Sequence, residues 1–240
     1  MGIKHDLRKI LWKAGVDVCR FGQSSREVAR MRRVFAMHDI NVVLDVGANT
    51  GQFAQYLRSD ILYGKKIVSF EPLSSAYEQL RINADSDPRW ETFNFALGEA
   101  DKTTEINIAG NSLSSSLLPM MESHVKAAPQ SGYIGQEIIE VRTLDSVFDG
   151  LCSMSDKIFL KLDTQGFEKQ VLEGAEQSLE SIDTVQLEMS LIPVYEAAVT
   201  FDELYRFMRE KGFELIAMEE VFSDEKTGKL LQIDGVFHRF

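Results

Sequence analysis

Asn41-Val42-Val43-Leu44-Asp45-Val46-Gly47-Ala48-Asn49-Thr50-Gly51 is the stretch from which the fold of this chain can be read. An apolar run that ends in an acid and then breaks into glycines reads as a buried strand giving way to a tight loop, and that loop should open a helix from about Gln52 to Ser59. Gly47 and Gly51 are positions where the backbone can turn with positive φ or approach a ligand, because no Cβ stands in the way. Asp45 sits near the carboxyl end of the strand, where open α/β sheets bind their ligands. A carboxylate there can receive an ammonium or hydroxyls. An ordinary strand-to-helix turn has the same local pattern, so the next strand must be read with it.

That strand is Lys65-Lys66-Ile67-Val68-Ser69-Phe70-Glu71-Pro72, a second short apolar run ending in an acid, with Pro72 favouring a new helix over Ser74 to Asn83. Together the two runs make one βαβ unit. Glu71 then projects from a strand tip, where a carboxylate can accept both hydroxyls of a ribose. A dinucleotide fold would use the same acid, but its G-x-G-x-x-G needs glycine where this chain has Asn49 and Gln52. A nucleoside without a pyrophosphate fits better, and S-adenosylmethionine is the obvious candidate. Asp45, Gly47, Asn49, Gly51 and Glu71 are its expected contacts.

Four ordered segments carry a family resemblance: Leu44 to Gly51, Phe70-Glu71-Pro72, Asn94 to Gly98, and Leu160-Lys161-Leu162-Asp163-Thr164-Gln165-Gly166-Phe167-Glu168. The chain resembles FkbM-type methyltransferases from about Val42 to Glu188. The resemblance implies a class I methyltransferase fold: a Rossmann-like, seven-stranded, mainly parallel sheet with an antiparallel C-terminal strand and helices on both faces. It further implies Asn94 and Ala96 as neighbours of the adenine, on a third strand read as Thr92 to Leu97. Asn94 as a turn cap is the competing reading. The likeness continues through the serine cluster after Lys102 to Ala109, which makes Ser114 and Ser116 candidate substrate contacts. Oxygen as the methyl acceptor, on a sugar, glycolipid or secondary metabolite, rests on the same resemblance.

The chemical candidates follow on the next buried strand, Ile158 to Asp163, whose polar intruder is Lys161. Asp163 at its tip points into the nucleotide crevice and could remove the proton of an acceptor hydroxyl, with Lys161 adjusting its pKa. Glu188 ends the fifth strand, Thr184 to Glu188. Asp163 and Glu188 could converge with a third oxygen ligand on Mg²⁺ or Ca²⁺, but a base working without metal is the preferred reading and no metal site is assigned. Glu168, in the first turn of the following helix, also suits the helix dipole. The four histidines are scattered without ligand spacing.

Composition bounds the rest. A chain of 240 residues suits one domain with an arm, and a net charge of −11 argues against a nucleic-acid backbone as partner. Residues 1–33 hold nine Lys or Arg against three acids, +6 locally against −17 for the remainder. Residues 1–36 are therefore read as a basic helical arm and 37–240 as the methyltransferase domain. Leu7, Ile10, Leu11 and Ala14 fall at helical spacing in the arm, as do Val28, Met31, Val34 and Phe35. The arm could pack beside the sheet, cover the substrate opening or make a peripheral contact with anionic lipid. Two distant cysteines and the lack of a membrane span or signal core point to the cytoplasm. The expected partner is a small-molecule or glycan acceptor. A non-catalytic nucleoside-binding protein and a nucleotide-dependent oxidoreductase are the alternatives.

Overall fold

The computed structural model describes Leu11, Gly22 and residues 26–240 except Glu225, without the side chains of Ser123 and Ala127. Apart from Leu11, the first amphipathic segment of the arm lies outside the described residues. The second is helix α1, Glu27–Met37, and it buries Met31 and Phe35 against the sheet.

Strands β1 (Val42–Val46), β2 (Lys66–Phe70) and β3 (Trp90–Phe93) are parallel neighbours. They are linked by α2 (Gln52–Tyr56) and α3 (Ser74–Ala84). The chain then makes β4 (Ala96–Leu97), β5 (Lys102–Ala109), α4 (Glu122–Ala127), β6 (Tyr133–Arg142) and α5 (Leu144–Leu151) before returning to the sheet. It re-enters on the other side of β1 as β7 (Ile158–Leu162), followed by α6 (Glu168–Glu173), β8 (Thr184–Ser190), α7 (Phe201–Glu210), β9 (Glu214–Asp224) and β10 (Lys229–His238). The resulting order is β3-β2-β1-β7-β8-β10-β9, with β10 antiparallel to both β8 and β9. This is the class I methyltransferase arrangement, a seven-stranded and mainly parallel sheet closed by an antiparallel C-terminal hairpin.

Alternation along the central strands sends side chains to two cores. Leu44, Val68, Leu160 and Leu187 pack with α5, α6 and α7 on one face. Val43, Ile67 and Phe159 pack with α1, α2 and α3 on the other. Each fully buried side chain of this size contributes about 2 kcal/mol. Because neighbouring strands are parallel on both sides of β1, their carboxyl ends meet at one edge. The order reverses between β1 and β7, so the crevice opens there.

Residues 92–97, expected as one strand, are divided between two sheets. Phe93 ends the pairing with β2, while Ala96 and Leu97 pair with Val141 and Arg142 in a separate sheet ordered β4-β6-β5. The turn is held by the Asn94 amide, which donates to the carbonyls of Glu71 and Pro72 at 2.9 Å each. The small sheet therefore stands over the carboxyl edge of the large one.

Gly47 makes this edge possible. Its φ is +77°, and a Cβ built there would lie 1.9 Å from the carbonyl oxygen of Asp163. Gly47→Ala is expected to destabilise the fold by on the order of 3 kcal/mol, through backbone strain plus the clash. Urea denaturation measures it, and an unchanged midpoint would contradict the close packing described.

Candidate active site

The loop after β1 is drawn against the end of β2, where Gly47 N–H and Ala48 N–H both donate to the carbonyl of Phe70, at 3.1 and 3.0 Å. Asn49 then adopts a left-handed φ of 48° and its N–H donates to Glu71 Oε2 at 2.8 Å. Leu73 N–H donates to the other oxygen, Oε1, at 2.9 Å. Glu71 is thus fixed by one backbone donor on each oxygen. Burial pushes its carboxyl up to about 7, against the pull of those two N–H groups, with Asp45 and Glu137 adding to the rise. An ionised carboxylate has about four acceptor positions, so two remain for a ligand.

Glu71 borders an open cavity at the carboxyl ends of β1, β2 and β7. Phe70, Leu73, Ala96, Leu97, Ile106 and Leu117 form its apolar wall. Asn49 from the loop after β1 and Ser112, Ser115 and Ser116 from residues 110–118, the cover of the cavity, supply polar groups, and Asp163, Thr164 and Gln165 border it from the tip of β7. An apolar wall beside a carboxylate suits a nucleoside.

Among the residues singled out from sequence, Gly47, Asn49, Glu71, Ala96, Ser116 and Asp163 border this cavity. The others are placed behind it. Asp45 is fully buried and accepts from Ser69 Oγ at 3.1 Å. Gly51 begins α2 at φ +90°, where a Cβ would meet the Trp90 ring at 2.6 Å. The Asn94 side chain is occupied in the turn described above. Ser114 is buried within the cover, its hydroxyl donating to Ser131 Oγ at 3.1 Å. Lys161 lies buried between Asp163 Oδ2, at 3.2 Å, and Asp45 Oδ1, at 3.6 Å. Glu188 is buried behind Asp163 and accepts from Gln165 and Gln232 at 2.9 and 2.8 Å.

The strand register explains this polar layer. Ser69, Asp45, Lys161 and Gln186 are cross-strand neighbours on β2, β1, β7 and β8, so one row of polar side chains crosses the sheet just beneath the cavity. Burial raises the Asp45 carboxyl above its ordinary range, and Lys161 opposes that rise. The 3.6 Å separation makes this an ion pair rather than a hydrogen bond, which leaves Asp45 Oδ1 with no hydrogen-bond partner. Burial alone would lower the Lys161 ammonium, but Asp163, Asp45 and Asp234 together hold it above its ordinary value. Glu188 is held well above the carboxylate range by burial first, then by Asp163, Glu168 and Asp234. Among the described residues, no group of three His, Cys, Asp or Glu is arranged to hold a metal ion. His238 sits at the opposite end of the sheet, stacked on His38 with ring centroids 3.5 Å apart and sharing a 2.9 Å hydrogen bond with Thr184.

Two further residues shape the site. Gln165, with φ 55°, bonds to both Asp163 and Glu188, and Tyr195 donates to Gln165 Oε1 at 2.7 Å. Gly166, at φ +96°, was the available signal for a tight turn at Gln165. Nothing local marked Tyr195.

Glu168 serves the same turn. Its Oε1 accepts from Thr164 N–H, Thr164 Oγ1 and Gly166 N–H at 2.9, 3.1 and 3.1 Å. Burial pushes its carboxyl up to about 7 despite these donors. The folded value exceeds the unfolded one, so the group's contribution to stability is complete below about pH 4.5 and is lost as pH rises to about 7. Glu168→Gln keeps an acceptor for the three donors and removes the ionisation. Denaturation curves between pH 4 and 8, roughly the span of this titration, should show the variant gaining on the wild type as pH rises, by about 3 kcal/mol at most. A difference independent of pH would place Glu168 outside this titration.

Residues 45–215 match the methyltransferase FkbM domain model. Similar solved structures include the methyltransferase FkbM from Methylobacillus flagellatus KT, with 16% identity and a TM-score of 0.49 over 82% of this chain and 44% of that one. An rRNA methylase from Streptococcus thermophilus shows 10% identity and a TM-score of 0.48 over 90% of this chain and 98% of its own. This chain therefore spans less than half the length of the first of these. No curated protein matches it. With the domain model covering well over half of its residues, the chain belongs to the FkbM methyltransferase family.

Proposed function

We propose that the chain moves a methyl group from S-adenosylmethionine to a hydroxyl oxygen of a sugar, glycolipid or secondary metabolite, in the cytoplasm. The observation that carries this reading is the meeting of two carboxylates, Glu71 from the tip of β2 and Asp163 from the tip of β7, in one cavity with an apolar wall. Oxygen as the acceptor atom follows from the family resemblance.

The residues present suit the cofactor. Glu71 keeps two acceptor positions for the ribose hydroxyls, and Leu73, Ala96 and Leu97 offer apolar surface to a flat base. Gly47 leaves the backbone bare beside them. S-Adenosylmethionine, when bound, supplies an electrophilic methyl carbon on a sulfonium. The chain's part is to orient the acceptor and take its proton. Asp163 is held on Oδ2 by Lys161 at 3.2 Å and on Oδ1 by Gln165 at 2.7 Å, and the carboxylate still reaches the cavity. A carboxylate so fixed would accept the hydroxyl proton while that oxygen takes the methyl group and the methyl–sulfur bond breaks, releasing the cofactor as its thioether. The division into a basic arm, residues 1–36, and a catalytic domain, 37–240, belongs to the same reading, with the arm a packing element beside the sheet, a cover over the acceptor opening or a contact with an anionic surface.

Calorimetric titration of the purified chain with S-adenosylmethionine, with NAD as control, tests the cofactor. Glu71→Ala should weaken binding by about a hundredfold, since two hydrogen bonds to a charged acceptor are lost. Affinity should be full above about pH 7 and fall by up to about tenfold per unit below it, because ribose hydroxyls donate to the ionised carboxylate. Equal binding of NAD, or an unaffected Glu71→Ala, would reject the pocket assignment.

Asp163→Asn tests the base. An acceptor screen by labelled-methyl transfer, beginning with sugars and glycolipids, should find turnover abolished in this variant with cofactor affinity retained. Undiminished turnover would remove Asp163 from the mechanism.

A further inference from the structure

We infer that Gln165 is the positioning residue of this site: its side-chain amide clamps Asp163 to Glu188 and ties both to the cover of the cavity through Tyr195. The role given to Asp163 rests on the methyl-transfer reading above, whereas the clamp itself rests on geometry alone. An amide nitrogen has two hydrogens, and here they go to two carboxylates, Asp163 Oδ1 at 2.7 Å and Glu188 Oε2 at 2.9 Å. The amide oxygen accepts the Tyr195 hydroxyl at 2.7 Å. Turning the amide over would set its carbonyl against both acids, so the orientation is determined by Asp163 and Glu188. Three of its four bonding positions are filled.

The backbone of the same residue joins the cover. Ser116 Oγ donates to the Gln165 carbonyl at 2.7 Å, and the fully buried Tyr195 also places its hydroxyl 3.1 Å from the carbonyl of Ser114. Gln165 holds a left-handed φ of 55°, a conformation that non-glycine residues keep only where their surroundings impose it. Here the side chain and the carbonyl are both tied. Seating of residues 110–118 on the large sheet is thereby linked to the direction in which Asp163 points.

An amide suits this position because of what surrounds it. The charged groups its amide touches are Asp163, at the tip of β7, and Glu188 from β8, and Lys161 from β7, Asp234 from β10 and Glu168 from α6 act on Glu188, with Asp45 from β1 acting on Lys161. Lys161 is the cation among them, and it is engaged with Asp163 and Asp45. Gln165 separates Asp163 from Glu188 by donating to both without adding charge. A carboxylate in its place would be a further acid among acids, and an apolar residue would take one donor from each carboxylate, leaving Asp163 to Lys161 and Glu188 to Gln232.

The test uses the full chain with Gln165→Leu, Gln165→Glu and Tyr195→Phe. Thermal unfolding between about pH 5 and 8 comes first and needs no ligand. Gln165→Glu should lose several degrees more against the wild type at pH 8 than at pH 5, because its carboxyl must ionise between two others. Gln165→Leu should lose stability about equally across that range. Parallel curves for wild type and Gln165→Glu would overturn the clamp.

Calorimetry should then find the affinity of all three variants for S-adenosylmethionine within about threefold of wild type. With the acceptor from the screen, Gln165→Leu should lower kcat about a hundredfold with an unchanged KM for the cofactor, as expected when a catalytic group is misdirected. Tyr195→Phe should fall between, and the activity of Gln165→Glu relative to wild type should rise toward acid pH. Unchanged kcat, or kcat and cofactor affinity lost together, would reduce Gln165 to a structural part. If Gln165→Leu does not fold, Gln165→Glu and Tyr195→Phe decide the matter. A wild type that binds no S-adenosylmethionine would defeat the methyl-transfer reading, while the pH dependence of stability would still decide the clamp.

Discussion

The contact between Gly47 and the carbonyl of Asp163 is the constraint on which the site depends. It brings the loop after β1 and the turn after β7 closer than any side chain would allow. The two parallel strands can then end at a common crevice, where the chain order reverses. Glu71 is pinned by N–H groups from Asn49 and Leu73, so its direction follows from that loop and from the turn after β2. Moving Gly47 away from Asp163 would separate the two carboxylates that face one cavity.

Beneath that crevice the protein buries more acid than base. Asp45, Asp163, Asp234 and Glu188 act on Lys161, with Glu168 beside Asp163, and the deeper carboxyls Asp45, Glu168 and Glu188 are held above their ordinary values mainly because burial disfavours charge. Much of the remaining compensation is uncharged. Gln165 donates to Asp163 and Glu188, Gln232 to Glu188, and Gln186 to Asp234. Amides satisfy these oxygens without the desolvation cost of further cations, and their planar geometry gives direction that a flexible ammonium lacks. The Asp163 carboxylate, at the cavity edge of this network, is the one in contact with both a cation and an amide.

Much of this was legible in the chain because parallel α/β units write themselves locally. Apolar runs ending in acids placed β1, β2, β7 and β8, and the strand order followed the family likeness. Gly47, Asn49, Glu71, Ala96, Ser116 and Asp163 reach the cavity because strand tips and their loops must point there. Asp45 and Lys161 were recognised as chemical residues but not as layer-mates, since only pairing register shows that they face each other across two strands. The break between β3 and β4 was missed because an apolar alternation looks continuous until the Asn94 amide is seen to turn it.

The sequence by itself determined the family, the parallel sheet and the acids at its carboxyl edge, because those depend on short-range pattern: strand period, glycine at left-handed positions and the residue at each strand tip. Only the tertiary structure decided which of those acids open to the cavity, which are spent on one another, and that Gln165 joins them to Tyr195. These are contacts between residues 23 and 30 positions apart, from Gln165 to Glu188 and to Tyr195. No local periodicity records such pairs, because burial and hydrogen-bond geometry come into being only when the strands assemble.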